Sequence, residues 1–203
     1  MTIERNRPWG SAGRLGRDDP VARTDGELRA ILESARHAGE ALPPVGLLGG
    51  DLCRTLGGRA DEARLRSPEA MRFPIDAARA SIDGETHWFV AHLLARRSWW
   101  RGRLLAVMNA EFMGEWDVAP RSHPNDGVLD VIDADPSVGD RWKARRRLVS
   151  GAHIPHPSIR YTRAERLEAS LAPGTRVWLD GQPLGLARHL QIAIEPDALV
   201  VVV

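Results

Sequence analysis

The stretch Asn109-Ala-Glu-Phe-Met-Gly-Glu-Trp-Asp-Val-Ala-Pro-Arg-Ser-His-Pro-Asn-Asp-Gly-Val-Leu-Asp-Val131 decides how this chain of 203 residues is read. An apolar run of strand length, Leu104 to Asn109, leads into it, and a second, Val128 to Asp133, leaves it. Between them lie Gly114, Pro120, Pro124 and the triplet Asn125-Asp126-Gly127. Asn, Asp and Gly tolerate the left-handed backbone that tight turns need, and Pro cannot continue a central strand. The segment therefore predicts one strand ending, a folded connection, and the next strand starting.

The same punctuation recurs on both sides. Asp83-Gly84 separates Arg72–Ala80 from Glu85–Leu94, a strong hairpin signal. Asp180-Gly181 follows Val177–Leu179, Leu190–Ile194 alternates, and Pro196-Asp197 predicts a turn before Leu199–Val203. Arg141–Leu148 reads as an amphipathic helix. Residues 67–203 are thus expected to be mostly antiparallel β.

Upstream the period changes. Leu28, Ile31, Leu32 and Ala35 recur at helical spacing between Asp25 and Gly39, with Thr24 or Asp25 as the cap. Val45–Leu48 reads as a buried strand entering the turn Gly49-Gly50-Asp51, followed by a short helix to Leu56. Residues 20–66 therefore form a partial α/β lobe. Residues 1–19, polar and rich in Gly and Arg, are expected to be a loose tail. The fold class expected is α/β plus all-β.

Composition narrows the function classes. Hydrophobic residues make up 43% of the chain and charged residues 27%, as in soluble globular proteins. Net charge is +1, so no overall field favours nucleic acid, and no nucleic-acid partner is expected. Cys53 stands alone, which excludes an internal disulfide and fits a reducing compartment. The first ten residues lack the apolar core of a secretory signal, and no apolar run is long enough to span a bilayer. A cytoplasmic protein is expected, with any lipid contact made at its surface.

Taken in order, these landmarks resemble the diacylglycerol kinase, sphingosine kinase and NAD kinase superfamily, and its bacterial lipid kinases above all. The carriers are Ala119-Pro120, Asn125-Asp126-Gly127-Val128-Leu129-Asp130, Gly151-Ala152-His153 and Leu179-Asp180-Gly181. The resemblance spans roughly residues 20–203. It implies a truncated nucleotide-binding α/β lobe followed by an antiparallel β-sandwich lobe. It also implies ATP and Mg²⁺ as cofactors and a lipid hydroxyl as phosphoryl acceptor. A lipid substrate or membrane surface and a homodimer are the partners expected.

Site residues follow from the same resemblance. The glycine-rich phosphate loop of relatives matches Arg23-Thr24-Asp25-Gly26-Glu27, which keeps Asp25 and Gly26 but has lost the leading glycines. Thr24-Asp25 also reads simply as a helix cap. The second nucleotide loop matches Gly49, Gly50 and Asp51, where a plain strand-to-helix turn is the alternative. Relatives carry Asp-Gly-Glu near the transfer site, its Glu acting as general base; here Asp180-Gly181-Gln182 takes its place. An amide cannot accept that proton, and losing general-base help costs roughly a hundredfold or more. A structural Mg²⁺ is implied at Asp126 with the carbonyls of His123 and Val128, against an Asx turn without metal.

Three further features have bland alternatives. Trp142, Lys143 and Arg145–Arg147 form a basic stretch, either a solvated helix face or a contact for anionic lipid. Trp99-Trp100-Arg101 is either a lipid-facing tip or a core anchor. His153 and His156 flank Pro155 and read as an exposed turn, not a zinc pair. Two functions remain: an ATP-dependent lipid kinase, or a catalytically degenerate relative acting as a lipid-binding, nucleotide-binding or regulatory module.

Overall fold

The computed structural model describes residues 9–99, 102–135, 137, 139–141 and 158–203. Trp100, Arg101, the stretch 142–148, Gly151–His153, Pro155 and His156 lie outside the described residues, so the expectations placed on them are not addressed.

In chain order the elements are β1 (Ser11–Ala12), β2 (Val21–Ala22), α1 (Asp25–Ala38), β3 (Val45–Leu47), α2 (Asp51–Thr55), α3 (Glu62–Leu65), β4 (Met71–Ile82) and β5 (Glu85–Phe89). They continue as β6 (His92–Arg96), β7 (Leu104–Met108), β8 (Phe112–Met113), β9 (Trp116–Asp117) and β10 (Leu129–Ala134). The last are β11 (Ile159–Ala164), β12 (Arg166–Ser170), β13 (Arg176–Leu179), β14 (Gln182–Leu186) and β15 (His189–Val202). No helix among the described residues is long and apolar enough to cross a membrane.

Two sheets face each other. The first runs β1-β4-β15-β3-β2, with β5 added to β4 and β12 to β15; the second runs β11-β10-β7-β6-β13-β14. Between them lies a core built from Ala78, Ala80, Ile82 and Phe89 on one side and Leu93, Leu105, Val107, Leu129, Val131, Val177 and Leu179 on the other. This is a β-sandwich, as expected for the second half of the chain.

The first sheet passes through the expected boundary without a break. β3 pairs in parallel with the end of β15, Val201 opposite Val45, and β2 pairs in parallel with β3. The long strand β4 has to be buried differently along its length. Ile75 and Ala77 face a second core made by Leu28 and Leu32 of α1 with Val45, Leu47 and Leu52. Two residues on, the same face carries exposed Arg79 and half-buried Ser81, where α1 no longer covers it. Sequence alternation in β4 thus marks where the helix ends.

α1 begins where the cap residues predict. The Thr24 side chain accepts the Glu27 N–H at 3.1 Å, and Gly39, with φ 67°, closes the other end. Asp83 (φ 50°) and Gly84 (φ 95°), like Asp180 (φ 49°) and Gly181 (φ 77°), hold left-handed conformations, as a two-residue hairpin turn requires.

Two expectations need correction. Residues from Trp9 onward are not a loose tail. The Trp9 indole donates to the Pro74 carbonyl, β1 pairs with β4, and Leu15 is buried with its N–H on the Leu65 carbonyl. Scattered Gly and Arg hide these contacts because only Trp9 and Leu15 supply apolar anchors. Nor does Pro196-Asp197 form a turn between two strands. It is a bulge within β15, between Glu195 and Leu199, held by the Asp197 N–H donating to Asp76 Oδ1 at 2.9 Å.

Candidate functional site

Asp76 organises the end of the Asn109–Val131 segment. It is buried in β4, and its carboxylate accepts from the N–H groups of Gly127 and Asp197 and from the Asn125 side chain. Asn125 also donates to Asp197, and Asn109 donates to the Asp76 and Val90 carbonyls. The Asn-Asp-Gly turn is therefore a clasp between β4, β15 and the start of β10. Burial raises the Asp76 carboxyl above its ordinary value.

The clasp leaves little for a cation at Asp126. One carboxylate oxygen accepts from the Val128 N–H and the other pairs with Arg163. His123 accepts the Asn125 N–H on its ring and packs against Trp9. Both Asp126 oxygens thus already have partners, one of them a guanidinium, and as they stand these residues do not fit Mg²⁺.

The two loops that the resemblance assigned to a nucleotide, residues 23–27 and 49–51, lie against each other. Asp25 does not cap its own helix; its carboxylate accepts the N–H groups of Asp51 (2.6 Å) and Leu52 (3.1 Å) at the start of α2. A Cβ on Gly50 would lie 2.5 Å from Asp25 Oδ1, and one on Gly49 would lie 2.4 Å from the Arg23 carbonyl oxygen. The glycines make room for the neighbouring loop. In the first loop, Glu27 turns back to accept the Arg23 N–H while Thr24 accepts the Glu27 N–H. The amides that a phosphate would use at α2 are taken by the chain's own carboxylate, and the loops as they stand do not fit a phosphate there.

Asp180 sits beyond Asp25, fully enclosed. It accepts from three consecutive N–H groups, Val90 (3.0 Å), Ala91 (2.8 Å) and His92 (3.0 Å). Burial raises its carboxyl despite those bonds. Asp25 is pushed up to about 6, by burial first and then by Asp180. Gln182 lies over the first loop: its Oε1 accepts from Arg29 Nη2, and its amide covers Gly26 so closely that a Cβ there would meet it at 2.6 Å.

The structure adds a residue that sequence reading missed. His92, buried, places Nε2 2.9 Å from Asp51 Oδ2. Burial pulls its pKa down, but Asp51 and Asp180 prevail and the net shift is upward. Asp25, Asp51 and His92 offer ligand atoms within 4.8 Å of one another, a donor set able to hold a divalent cation. His92 escaped notice because it lies in the apolar run Trp88–Leu94, where a lone histidine has no spacing partner.

Asp51 and His92 form the polar end of a cleft of about 580 Å³. Its walls are Leu94, Trp99, Met113, Trp116 and Trp178, with Arg96 among them. The β8–β9 hairpin forms one side, tied to α2 by the Gly114 N–H on Asp51 Oδ1 and by Arg54 on the Gly114 carbonyl. β6 and β13 form the other. Trp99 and Trp116 meet edge to face at 5.7 Å.

Comparison with known proteins agrees with this architecture. Residues 55–203 match the family described as the YegS C-terminal NAD kinase beta sandwich-like domain. The chain belongs to that family. The matched range holds β4 to β15, with His92, the cleft walls, Asp180 and Gln182, and begins after the Asp25 and Gly49–Asp51 loops. Two crystal structures from Bacillus anthracis strain Sterne share the fold. One, provisionally assigned as a diacylglycerol kinase, has 16% identity and a TM-score of 0.63, over 90% of this chain and 77% of that one. Another, described as a diacylglycerol kinase, has 16% identity and a TM-score of 0.58, over 90% and 75%. No functionally curated protein matches the sequence. The family and fold place the chain in the lipid-kinase-like superfamily.

Proposed function

We propose that this protein is a binding member of the lipid-kinase-like fold, taking an amphipathic lipid in the cleft between β6, β13 and the β8–β9 hairpin. The observation that carries the reading is the contrast between two places. The cleft is roomy, open and lined by three tryptophans, whereas the phosphate loops are closed by Asp25, Thr24 and Glu27. Its volume falls in the range of ligand sites, roughly 300–1,000 Å³, with apolar walls and few polar groups. Gln182 supplies no base.

The test is a pair of titrations. Medium-chain acyl lipids are expected to shift tryptophan fluorescence saturably, with Trp178→Ala weakening the affinity. MgATP at millimolar concentration is expected to give no heat in calorimetry. Lipid that leaves the fluorescence unchanged would overturn the reading.

A second reading, ATP-dependent phosphorylation of a lipid hydroxyl, draws on Asp51 at the polar end of the same cleft and on Asp25 and Asp180 buried behind it. It requires the loops to open. Saturable MgATP binding together with labelled phosphate appearing on lipid would favour it.

A further inference from the structure

The cleft has a direction. β6 and β13 pair with Arg176 opposite Arg96, Trp178 opposite Leu94 and Leu179 opposite Leu93. Alternate residues share a face. His92, Leu94 and Arg96 therefore line the cleft in sequence along β6, with Trp178 and Arg176 beside the last two. One end is acid and imidazole, the middle apolar, and the far end carries two guanidinium groups. The four steps from His92 to Arg96 span ~13 Å at ~3.3 Å per residue.

Two arginines directly across a strand pair repel, a placement that ordinarily destabilises a sheet. Neither Arg96 nor Arg176 forms an ion pair with a carboxylate among the described residues. Glu115, also on the cleft wall, is not paired with Arg96, and Asp51 is held at the other end by His92 and Gly114. Instead, Arg96 is stacked on aromatic rings. Its guanidinium carbon lies 3.8 Å from the Trp99 ring centre and 4.4 Å from that of Trp178. Stacking fixes the plane of the group and leaves its edge for a ligand. The buried Arg96 Nε has no hydrogen-bond partner. Burial first, and Arg176 second, pull its pKa below the ordinary value. An anion at this end would relieve both the repulsion and the unpaired donor.

We infer that the cleft selects an anionic amphiphile, its phosphate or carboxylate head held by Arg96 and Arg176 and its apolar chain lying over Trp178, Leu94 and Trp116 toward His92. The guanidinium fork suits two parallel hydrogen bonds to either head group. Chain length is set by the ~13 Å run, about ten carbons of extended chain before Asp51 and His92 turn unfavourable for further methylene groups. This inference rests on the lipid-binding reading and adds the charge and polarity of the ligand.

The experiment compares three probes of the full chain by tryptophan fluorescence and calorimetry: a lysophosphatidate, a fatty acid and a neutral monoacylglycerol, each with about ten carbons. Inorganic phosphate is the fourth. Both anionic probes are expected to bind at least tenfold more tightly than the neutral one. Arg96→Gln and Arg176→Gln should each remove most of that preference, read as the ratio of anionic to neutral affinity within the same variant. Raised salt should weaken only the anionic probes. If Arg96→Gln disturbs the packing of Trp99 and Trp178, which both rest on Arg96, substitution of the exposed Arg176 carries the test alone. Equal binding of neutral and anionic probes, or indifference to both substitutions, overturns the inference while the lipid-binding reading stands. Failure of all three lipids overturns that reading itself. Inorganic phosphate binding as tightly as lysophosphatidate would also overturn it, since the apolar chain would then contribute nothing. Tighter lysophosphatidate than fatty acid marks a phosphate head, and the reverse a carboxylate.

Discussion

Gly50→Ala separates two reasons for a glycine beside a helix. If Gly50 existed to let a phosphate approach the backbone, replacing it would alter ligand binding and leave the fold largely intact. The geometry says otherwise. Gly50 has φ 94° and ψ 168°, a region that other residues enter only at ~1–3 kcal/mol. An added Cβ would stand 2.5 Å and 2.8 Å from the two Asp25 carboxylate oxygens. Relief requires the carboxylate to withdraw from the Asp51 and Leu52 N–H groups, and each such charged hydrogen bond contributes about 1.5–3 kcal/mol. The loss of one, with the backbone cost, comes to roughly 3–5 kcal/mol. Gly57→Ala is the control: φ is 72° and nothing lies within 4 Å, so only a backbone cost of about 1–2 kcal/mol remains. Urea unfolding followed by tryptophan fluorescence should show Gly50→Ala at least ~2 kcal/mol worse than Gly57→Ala at equal m-value. In an Asp25→Ala background most of that excess should vanish, a coupling of about 2 kcal/mol. Equal midpoints for the two glycine variants, or full additivity with Asp25→Ala, would refute the account of the loops.

Other perturbations address the remaining parts of the site. Asp25 is raised from 3.8 to about 6, so the folded chain retains a proton that the unfolded chain releases. Its contribution is complete below about pH 3.8 and is lost as pH rises through about 6, by up to about 3 kcal/mol at ~1.4 kcal/mol per pH unit. The urea midpoint should therefore fall across that window, and Asp25→Asn should flatten the fall. Gln182→Glu turns the Arg29 contact into an exposed ion pair, changes stability by less than ~1 kcal/mol, and creates no lipid phosphorylation; a gain of activity would show that only the base was missing. Asp126→Ala should lower the melting temperature equally with and without Mg²⁺, whereas a Mg²⁺-dependent difference would restore the cation site. Asn125→Ala removes a buried bridge between Asp76 and Asp197 and should cost about 2–3 kcal/mol in the same urea assay.

Local signals carried the fold where one residue's chemistry sufficed. Thr24 and Gly39 bound α1 because a hydroxyl cap and a left-handed glycine act without reference to the rest of the chain. Asp83-Gly84 and Asp180-Gly181 made hairpins for the same reason. Signals that depend on distant partners were hidden. β11 and β12 went unseen because Ile159–Ala164 and Arg166–Ser170 carry Arg and Glu on an open face and are separated by Glu165 alone, with no Gly or Pro between them. β3 could be read as a buried strand, but its parallel pairing with β15 joins residues more than 150 apart, and no local pattern encodes that. His92, Arg96, Trp116 and Trp178 converge through sheet register, so none advertised a site by spacing.

The pieces that resemble kinase motifs sort by what else they do. Asp25 satisfies two amides of α2, Gly50 makes room for it, Asp180 holds three amides at the start of β6, and Asn125 clasps β4 to β15. Each of these would cost the fold kilocalories to replace. The departures fall where no such duty exists. Arg23 and Glu27 serve a surface cap, and Gln182 rests on Gly26 and Arg29 at the exposed end of β14. A carboxylate at 182 would fill the same space as the amide and face the same Arg29, whose buried Nε has no hydrogen-bond partner among the described residues. Stability is thus a sufficient reason for the residues found at 25, 50, 125 and 180, whereas Gln182 serves the fold only through an exposed contact with Arg29 and its cover over Gly26. That division accords with the proposed binding role, in which the fold holds its aromatic cleft whether or not phosphoryl transfer occurs.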